Sequence, residues 1–253
     1  MIWKAIGQSV IGTSHVANGK DCEDANKYAI FESPDGHILA CCASDGAGSA
    51  QFAGWASAYT TAQVIECAQR LVANNEEIDE AAVYAMLEDI YDGLEQEAAK
   101  QECELNEFSC TLLGAIITGT ATAFFQVGDG AIVRNDGSDF YLPVWWPHNG
   151  EYQNTTSFLV DDRSFANVNV MILNELVTEL AIFTDGLQML ALNTESQTAH
   201  QPFFTSMFRH LRMADTPEKV DLLNGKLADY LNSAAINKRT DDDKTLFLAT
   251  KLQ

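Results

Sequence analysis

The stretch Ile38-Leu39-Ala40-Cys41-Cys42-Ala43-Ser44-Asp45-Gly46-Ala47-Gly48-Ser49-Ala50 runs from an apolar segment into an acid and then into a turn of small residues. Mechanically it reads as a buried strand leaving its sheet. Gly46 and Gly48 allow the tight turn, and Ser49 caps a helix that begins at Ala50. Chemically, an acid at the end of a rigid strand is well placed to hold a cation. Asp-Gly is also a common turn pair, so this stretch alone leaves both readings open.

The pattern returns twice. Phe124-Phe125-Gln126-Val127-Gly128-Asp129-Gly130 and Ala181-Ile182-Phe183-Thr184-Asp185-Gly186 are again apolar runs that end in Asp-Gly. Thr240-Asp241-Asp242-Asp243-Lys244-Thr245 stands just before the last apolar run, and Glu23-Asp24 lies between two strand patterns. Singly, each Asp-Gly is an ordinary turn. Together they place acids at five strand ends. If these converge, their mutual repulsion must be relieved by protonation or by cations. Carboxylates without paired cysteines or a His-x-x-x-His spacing favour a hard, oxygen-preferring ion, so magnesium or manganese fits better than zinc.

Outward from these acids the apolar period alternates. Segments 2 to 12 and 26 to 44 read as strands, the second folded at Pro34-Asp35-Gly36, with a polar segment from 13 to 24 between them. From 49 to about 73, Phe52, Trp55, Tyr59, Ala62 and Ile65 recur near helical spacing, and a second helical pattern covers about 79 to 104. Strands 110 to 118, 121 to 127, 131 to 134 and 140 to 144 follow as an antiparallel meander. Segment 145 to 167 reads as a long connection or flap whose Trp145, Trp146 and Tyr152 either face a substrate or anchor the loop to the core. Strands near 168 to 173 and 179 to 184, helices 203 to 213 and 217 to 234 with Thr216 as cap, and a last strand 244 to 252 complete the chain. This order predicts an α+β domain with helices packed outside antiparallel sheets.

The 253 residues, 47% of them hydrophobic, suffice for one large domain over 1–253, although length alone would also allow two. Fifteen basic against thirty-six acidic residues give a formal charge of −21, which argues against nucleic acid or an anionic membrane as partner. Met1-Ile2-Trp3-Lys4 does not open a signal peptide, and no apolar run approaches the roughly 20 residues of a membrane span, so a soluble, cytoplasmic protein is expected. Cys22, Cys41, Cys42, Cys67, Cys103 and Cys110 include no Cys-x-x-Cys pair and read as reduced core residues. Cys22 lies among acids, where a buried spacer is a better reading than a nucleophile because nothing nearby lowers its pKa.

Five short motifs acquire meaning from their order. Cys22-Glu23-Asp24-Ala25, Ser44-Asp45-Gly46-Ala47-Gly48, Val127-Gly128-Asp129-Gly130, Thr184-Asp185-Gly186-Leu187 and Asp242-Asp243-Lys244-Thr245 span most of the chain. In this sequence the chain resembles the metal-dependent protein phosphatase 2C family of serine/threonine phosphatases. The resemblance implies a four-layer α/β/β/α sandwich with two central antiparallel sheets flanked by helices. It also implies hydrolysis of phosphoserine or phosphothreonine by a water bridging two Mn2+ or Mg2+ ions, without a covalent enzyme intermediate. Carried onto this chain, Asp45 is the bridging ligand and Gly46 contributes its carbonyl. Glu23 or Asp24 then serves one ion and Asp185 and Asp242 the other. Asp129 resembles an acid that holds a third, weaker ion in some members. The implied partners are a phosphorylated protein and an opposing serine/threonine kinase, in a signalling role.

The chain also departs from the family pattern. Many members carry an arginine shortly before the Glu-Asp pair to grip phosphate, and here that segment offers only Lys20 and His15. Lysine would supply the charge without the bidentate fork. Ala47 stands where many members have a histidine able to protonate the leaving oxygen, and Met189 where some have another acid. These departures keep two other functions open: a catalytically weak, phosphoprotein-binding regulator, and a phosphatase of a small phosphorylated metabolite. Retention of every core acid favours an enzyme.

Overall fold

The structure, a computed structural model, describes residues 3–34, 36–138, 140–147 and 156–251. Its strands are β1 (Trp3–Val10), β2 (Ala25–Ser33), β3 (Gly36–Ser44), β4 (Leu112–Ile117), β5 (Thr122–Val127), β6 (Ala131–Asn135), β7 (Leu142–Pro143), β8 (Asn169–Leu173), β9 (Glu179–Phe183), the small hairpin β10 (Leu192–Asn193) and β11 (Thr198–Ala199), and β12 (Lys244–Lys251). Between them lie helices α1 (Thr13–Asn18), α2 (Ala53–Asn74), α3 (Glu80–Lys100), α4 (Gln188–Ala191), α5 (Gln201–Met213), α6 (Pro217–Leu231) and α7 (Ala234–Asn237). One five-stranded sheet has the order β2-β3-β4-β5-β8 and the other β1-β12-β9-β6-β7.

The side-chain period of two builds the layers. Leu39, Cys41 and Ala43 of β3 meet Ile182 and Phe247 of the other sheet, forming the core between the sheets. Their neighbours Ile38, Ala40 and Cys42 face outward under α2 and α3, with Val64, Met86 and Leu94. On β12, Leu246 and Leu248 likewise face outward under Phe204, Phe208 and Leu227 of α5 and α6. Strands buried on both faces read as unbroken apolar runs, which is why 38 to 43 lack a polar alternate. The result is the α/β/β/α order that the resemblance implied.

Several local expectations are corrected. The first helix of the 49 to 73 pattern begins at Ala53, and Ser49 does not cap it. Glu107 takes the role instead: its side chain accepts from the Gln51 N–H and its carbonyl from the Phe52 N–H, both at 2.8 Å. The polar segment 13 to 24 contains α1, which buries none of its residues and therefore shows no apolar period. Gly19 ends α1 in the left-handed conformation. The meander expected over 110 to 144 is split: β4 and β5 belong to one sheet, β6 and β7 to the other. Gly128, at φ +109°, turns the chain between the sheets, and a Cβ there would sit 2.5 Å from Thr111. The part of the 145 to 167 connection that holds Tyr152 and residues 148–155 lies outside the described residues. Among the described residues no helix is long and apolar enough to cross a membrane. Cys41, Cys42, Cys67 and Cys110 are buried, Cys22 and Cys103 half-buried, and all six are free thiols.

Candidate metal centre

Strand pairing alone brings the acids to one end of the sandwich. Ala25 pairs with Ser44, so Asp24 and Asp45 emerge together from the first sheet. Leu246 pairs with Phe183 in the second sheet, so Asp242 and Asp185 emerge there. Asp129 sits in the crossover between β5 and β6. A Cβ on Gly186 would lie 2.0 Å from the Asp243 carbonyl oxygen, and one on Gly46 2.7 to 2.8 Å from the backbones of Ala53 and Glu23. Glycine after these acids is therefore a packing requirement, which lets the segments bearing Asp185 and Asp242 touch.

Threonines hold the acids from below. Asp24, 8% exposed, accepts at Oδ2 from the hydroxyls of Thr184 and Thr245, both at 2.8 Å. Its Oδ1 is buried without a partner among the described residues, and so is Oδ1 of Asp185. The Asp45 N–H donates to Thr111 Oγ1 at 2.9 Å. Thr156 donates to Asp129 Oδ2 at 2.6 Å, and the Gln188 amide donates to the Asp129 carbonyl. Asp243 accepts from the Gly12 and Glu23 N–H groups, each at 2.6 Å, which locks the loop before β12 onto the loop before β2. Thr111, Thr184, Thr245, Asp243, Thr156 and Gln188 were not singled out from the sequence. The signal available for Thr184, Asp243 and Thr245 was their place inside the quoted motifs; for Thr156 and Gln188 there was none.

The cluster is electrostatically strained. Burial, reinforced by the charges of Asp24, Asp185 and Asp242, holds the Asp45 carboxyl well above the usual carboxylate range. Burial pushes Asp24 up to about 7, with Asp243 and Asp185 adding to it while the two threonine hydroxyls oppose it. Asp185 rises to about 6, chiefly through burial and then through Asp129 and Asp242.

The chemistry of this donor set fits a hard divalent cation: the acids offer only oxygens, two buried oxygens lack partners among the described residues, and like charges are crowded. Among the described residues no three of these side chains are already arranged as a ready coordination sphere. The Glu23 carboxylate lies 3.2 and 3.3 Å from Lys20 Nζ and 3.7 Å from His15 Nε2. Lys20 also donates to the Gly48 carbonyl at 2.8 Å. His15 Nδ1 is 3.0 Å from Asp243 Oδ2 without the alignment of a hydrogen bond. Ala47 is buried against Ala50, Ala53 and Phe158, and Met189 is exposed. Cys22 faces Asp24 and Asp243, and burial raises its thiol far above the range of a nucleophile.

Comparison with known proteins places this geometry. Residues 11–232 match the family model described as protein phosphatase 2C. The chain is 35% identical over 251 residues to serine/threonine-protein phosphatase 3 of Escherichia coli (strain K12), covering 98% of both chains. Among solved structures it resembles serine/threonine phosphatase Stp1 from Staphylococcus aureus, with a TM-score of 0.62 at 17% identity, covering 100% of this chain and 96% of that one. It also resembles RsbX in complex with magnesium, with a TM-score of 0.57 at 15% identity over 98% and 94% of the chains. Strand ends from both sheets, acids in the expected order and a match over most of its length agree: the chain belongs to the protein phosphatase 2C family.

Proposed function

We propose that this chain is a metal-dependent serine/threonine phosphatase that removes phosphate from phosphorylated proteins, acting as one catalytic domain over residues 1–253. The observation that carries the reading is the convergence of Asp24, Asp45, Asp129, Asp185 and Asp242 from two sheets onto one end of the sandwich, with buried oxygens left unpartnered. Asp45, with the Gly46 carbonyl, would be shared between two manganese or magnesium ions, Glu23 or Asp24 would serve one of them and Asp185 and Asp242 the other, and Asp129 would hold a third. Thr184 and Thr245 orient Asp24 toward this group, while Glu23 pairs with Lys20 beside it. When bound, the ions supply a nucleophile at neutral pH and offset charge on the phosphoryl group.

The remaining tasks fall to side chains at the rim. Lys20 Nζ meets both Glu23 oxygens and the Gly48 carbonyl, so gripping a phosphate oxygen requires it to exchange one of these acceptors for the substrate. His15 wedges between Glu23 and Asp243 and positions the loop. Ala47 has no proton to give the leaving oxygen. This last point is also what favours the second reading, a phosphoprotein-binding regulator with weak turnover. The same experiment decides both: phosphate release from phosphoserine and phosphothreonine peptides with and without manganese. Manganese-dependent release establishes the enzyme, and tight peptide binding without release establishes the regulator. We further propose a cytoplasmic location and an opposing serine/threonine kinase, consistent with a phosphorylated protein substrate.

A further inference from the structure

A cavity of about 450 Å3 opens at the other end of the sandwich. It is lined by the far ends of β6, β9 and β12, the strands whose near ends lead to Asp129, Asp185 and Asp242. Glu179 and Asp185 are six residues apart along β9 and its exit, so the cavity lies roughly 20 Å from the acids at ~3.3 Å per strand residue.

At its centre is a buried carboxylate that is already satisfied. Glu179 accepts from Arg212 Nε at 2.7 Å and Nη2 at 3.2 Å, from the Tyr141 hydroxyl at 2.7 Å and from the Thr250 hydroxyl at 3.0 Å. Tyr141 is itself stacked on Phe208, with centroids 5.3 Å apart and planes at 7°. The guanidinium of Arg212 is thus fixed on one edge. Its side chain is 51% exposed, and its Nη1 makes no hydrogen bond among the described residues. Lys251 lines the same cavity, its ammonium 5.5 Å from the Trp3 ring centroid. Among the lining side chains Glu179 is paired with Arg212, and Lys251 is the remaining charged residue. The hydroxyls of Ser138 and Thr205 complete the lining.

An arginine oriented by a buried acid, beside a second cation and several hydroxyls, is an arrangement suited to an oxyanion that carries hydroxyl groups. A purely mechanical role, stitching α5 to the sheet, needs only Nε and Nη2 of Arg212; it needs neither Lys251 nor an open cavity. We propose that this cavity binds a small oxyanion, a phosphorylated or carboxylated polyol, at the end of the sandwich opposite the acidic cluster. The site is independent of the phosphatase reading.

The test is an NMR titration of the 15N-labelled full chain, held metal-free with chelator at constant ionic strength, with inorganic phosphate, glycerol 3-phosphate and glycerate. Saturable shifts at Arg212, Thr250 and Lys251 are expected, tightest for a probe that carries hydroxyls. The order of glycerol 3-phosphate and glycerate names the charged group. Lys251→Ala, which leaves every partner of Glu179 in place, should weaken binding about 10-fold, as should Arg212→Lys, which keeps charge but loses the fork. If Arg212→Lys fails to fold, Lys251→Ala decides alone. Shifts that do not saturate, shifts confined to the surroundings of Asp45 and Asp185, or unchanged affinity in the folded variants would overturn the proposal.

Discussion

Thr245 on β12 donates its hydroxyl to Asp24, at the root of β2 in the opposite sheet, across 2.8 Å. With Thr184 it is one of two hydroxyls that span the sandwich to orient a buried carboxylate. Thr245→Val keeps the shape and removes the donor. Denaturant unfolding should show a loss of about 1 kcal/mol, because a buried acceptor loses one of its two donors. Manganese affinity measured by calorimetry should fall as well, about 10- to 100-fold as for other groups that orient ligands. Unchanged affinity would confine Thr245 to a structural role.

Asp45→Asn separates function from stability. Turnover on phosphopeptides should drop more than about 100-fold, while the metal-free protein becomes more stable, because one member of a crowded group of buried carboxyls is now neutral. Asp185→Asn should behave alike. Thermal melts in chelator, paired with steady-state kinetics in manganese, test both signs together.

The pH dependence of the metal-free protein follows from the raised values of Asp24 and Asp185, about 7 and about 6. In the unfolded chain an aspartate titrates near 3.9. The folded state therefore binds more protons between these values, and stability falls as pH rises from about 4 through about 7. Calorimetry in chelator should show the melting temperature declining over that window. Manganese should restore more stability at pH 8 than at pH 5, because binding displaces the protons. A melting temperature that rises across the window would refute the assignment.

Gly186→Ala places a Cβ 2.0 Å from the Asp243 carbonyl oxygen, a backbone atom that cannot step aside. A cost of about 1–3 kcal/mol is expected from the forced shift. Activity should fall further than stability accounts for, since the shift separates Asp185 from Asp242. Gly225→Ala is the control: nothing lies within 4 Å of its added Cβ, and it sits on exposed α6.

Lys20→Ala should raise the Michaelis constant for phosphopeptides about 10-fold with little change in turnover, the pattern of a lost ground-state anchor. His15→Ala should leave that constant within about 2-fold, because both ring nitrogens face carboxylates of the protein. Equal effects of the two substitutions would mean that His15 also reaches substrate.

Much of this was legible in the linear chain because it depends on local chemistry. An apolar run too long for alternation marks a strand buried on both faces, as in β3, and Asp-Gly marks where such a strand must turn. Thr216 was readable as the cap of α6 because its hydroxyl needs only the N–H three residues ahead. Where a partner is distant in sequence, the local reading failed. Ser49 looked like a cap, yet Glu107 takes those N–H groups from 56 residues away. The short α1 showed no period because its burial is slight and its place is set by the Ser14 N–H on the Asp241 carbonyl.

The sequence by itself determined which residues could carry the chemistry: acids at five strand ends, three of them followed by glycine, in an order shared with a known family. Only the tertiary structure decided which of them gather. Asp24 turned inward onto Thr184 and Thr245, while its neighbour Glu23 turned out to Lys20, although the sequence offered the two as equals. Adjacent side chains on an extended backbone point to opposite sides, and which side is buried depends on the register between sheets joined through residues more than 150 positions apart. The crossover at Gly128 is the same case: one positive φ moves the chain from sheet to sheet and so carries Asp129 into the cluster, a decision made by the close approach of Thr111 and invisible in the order of residues.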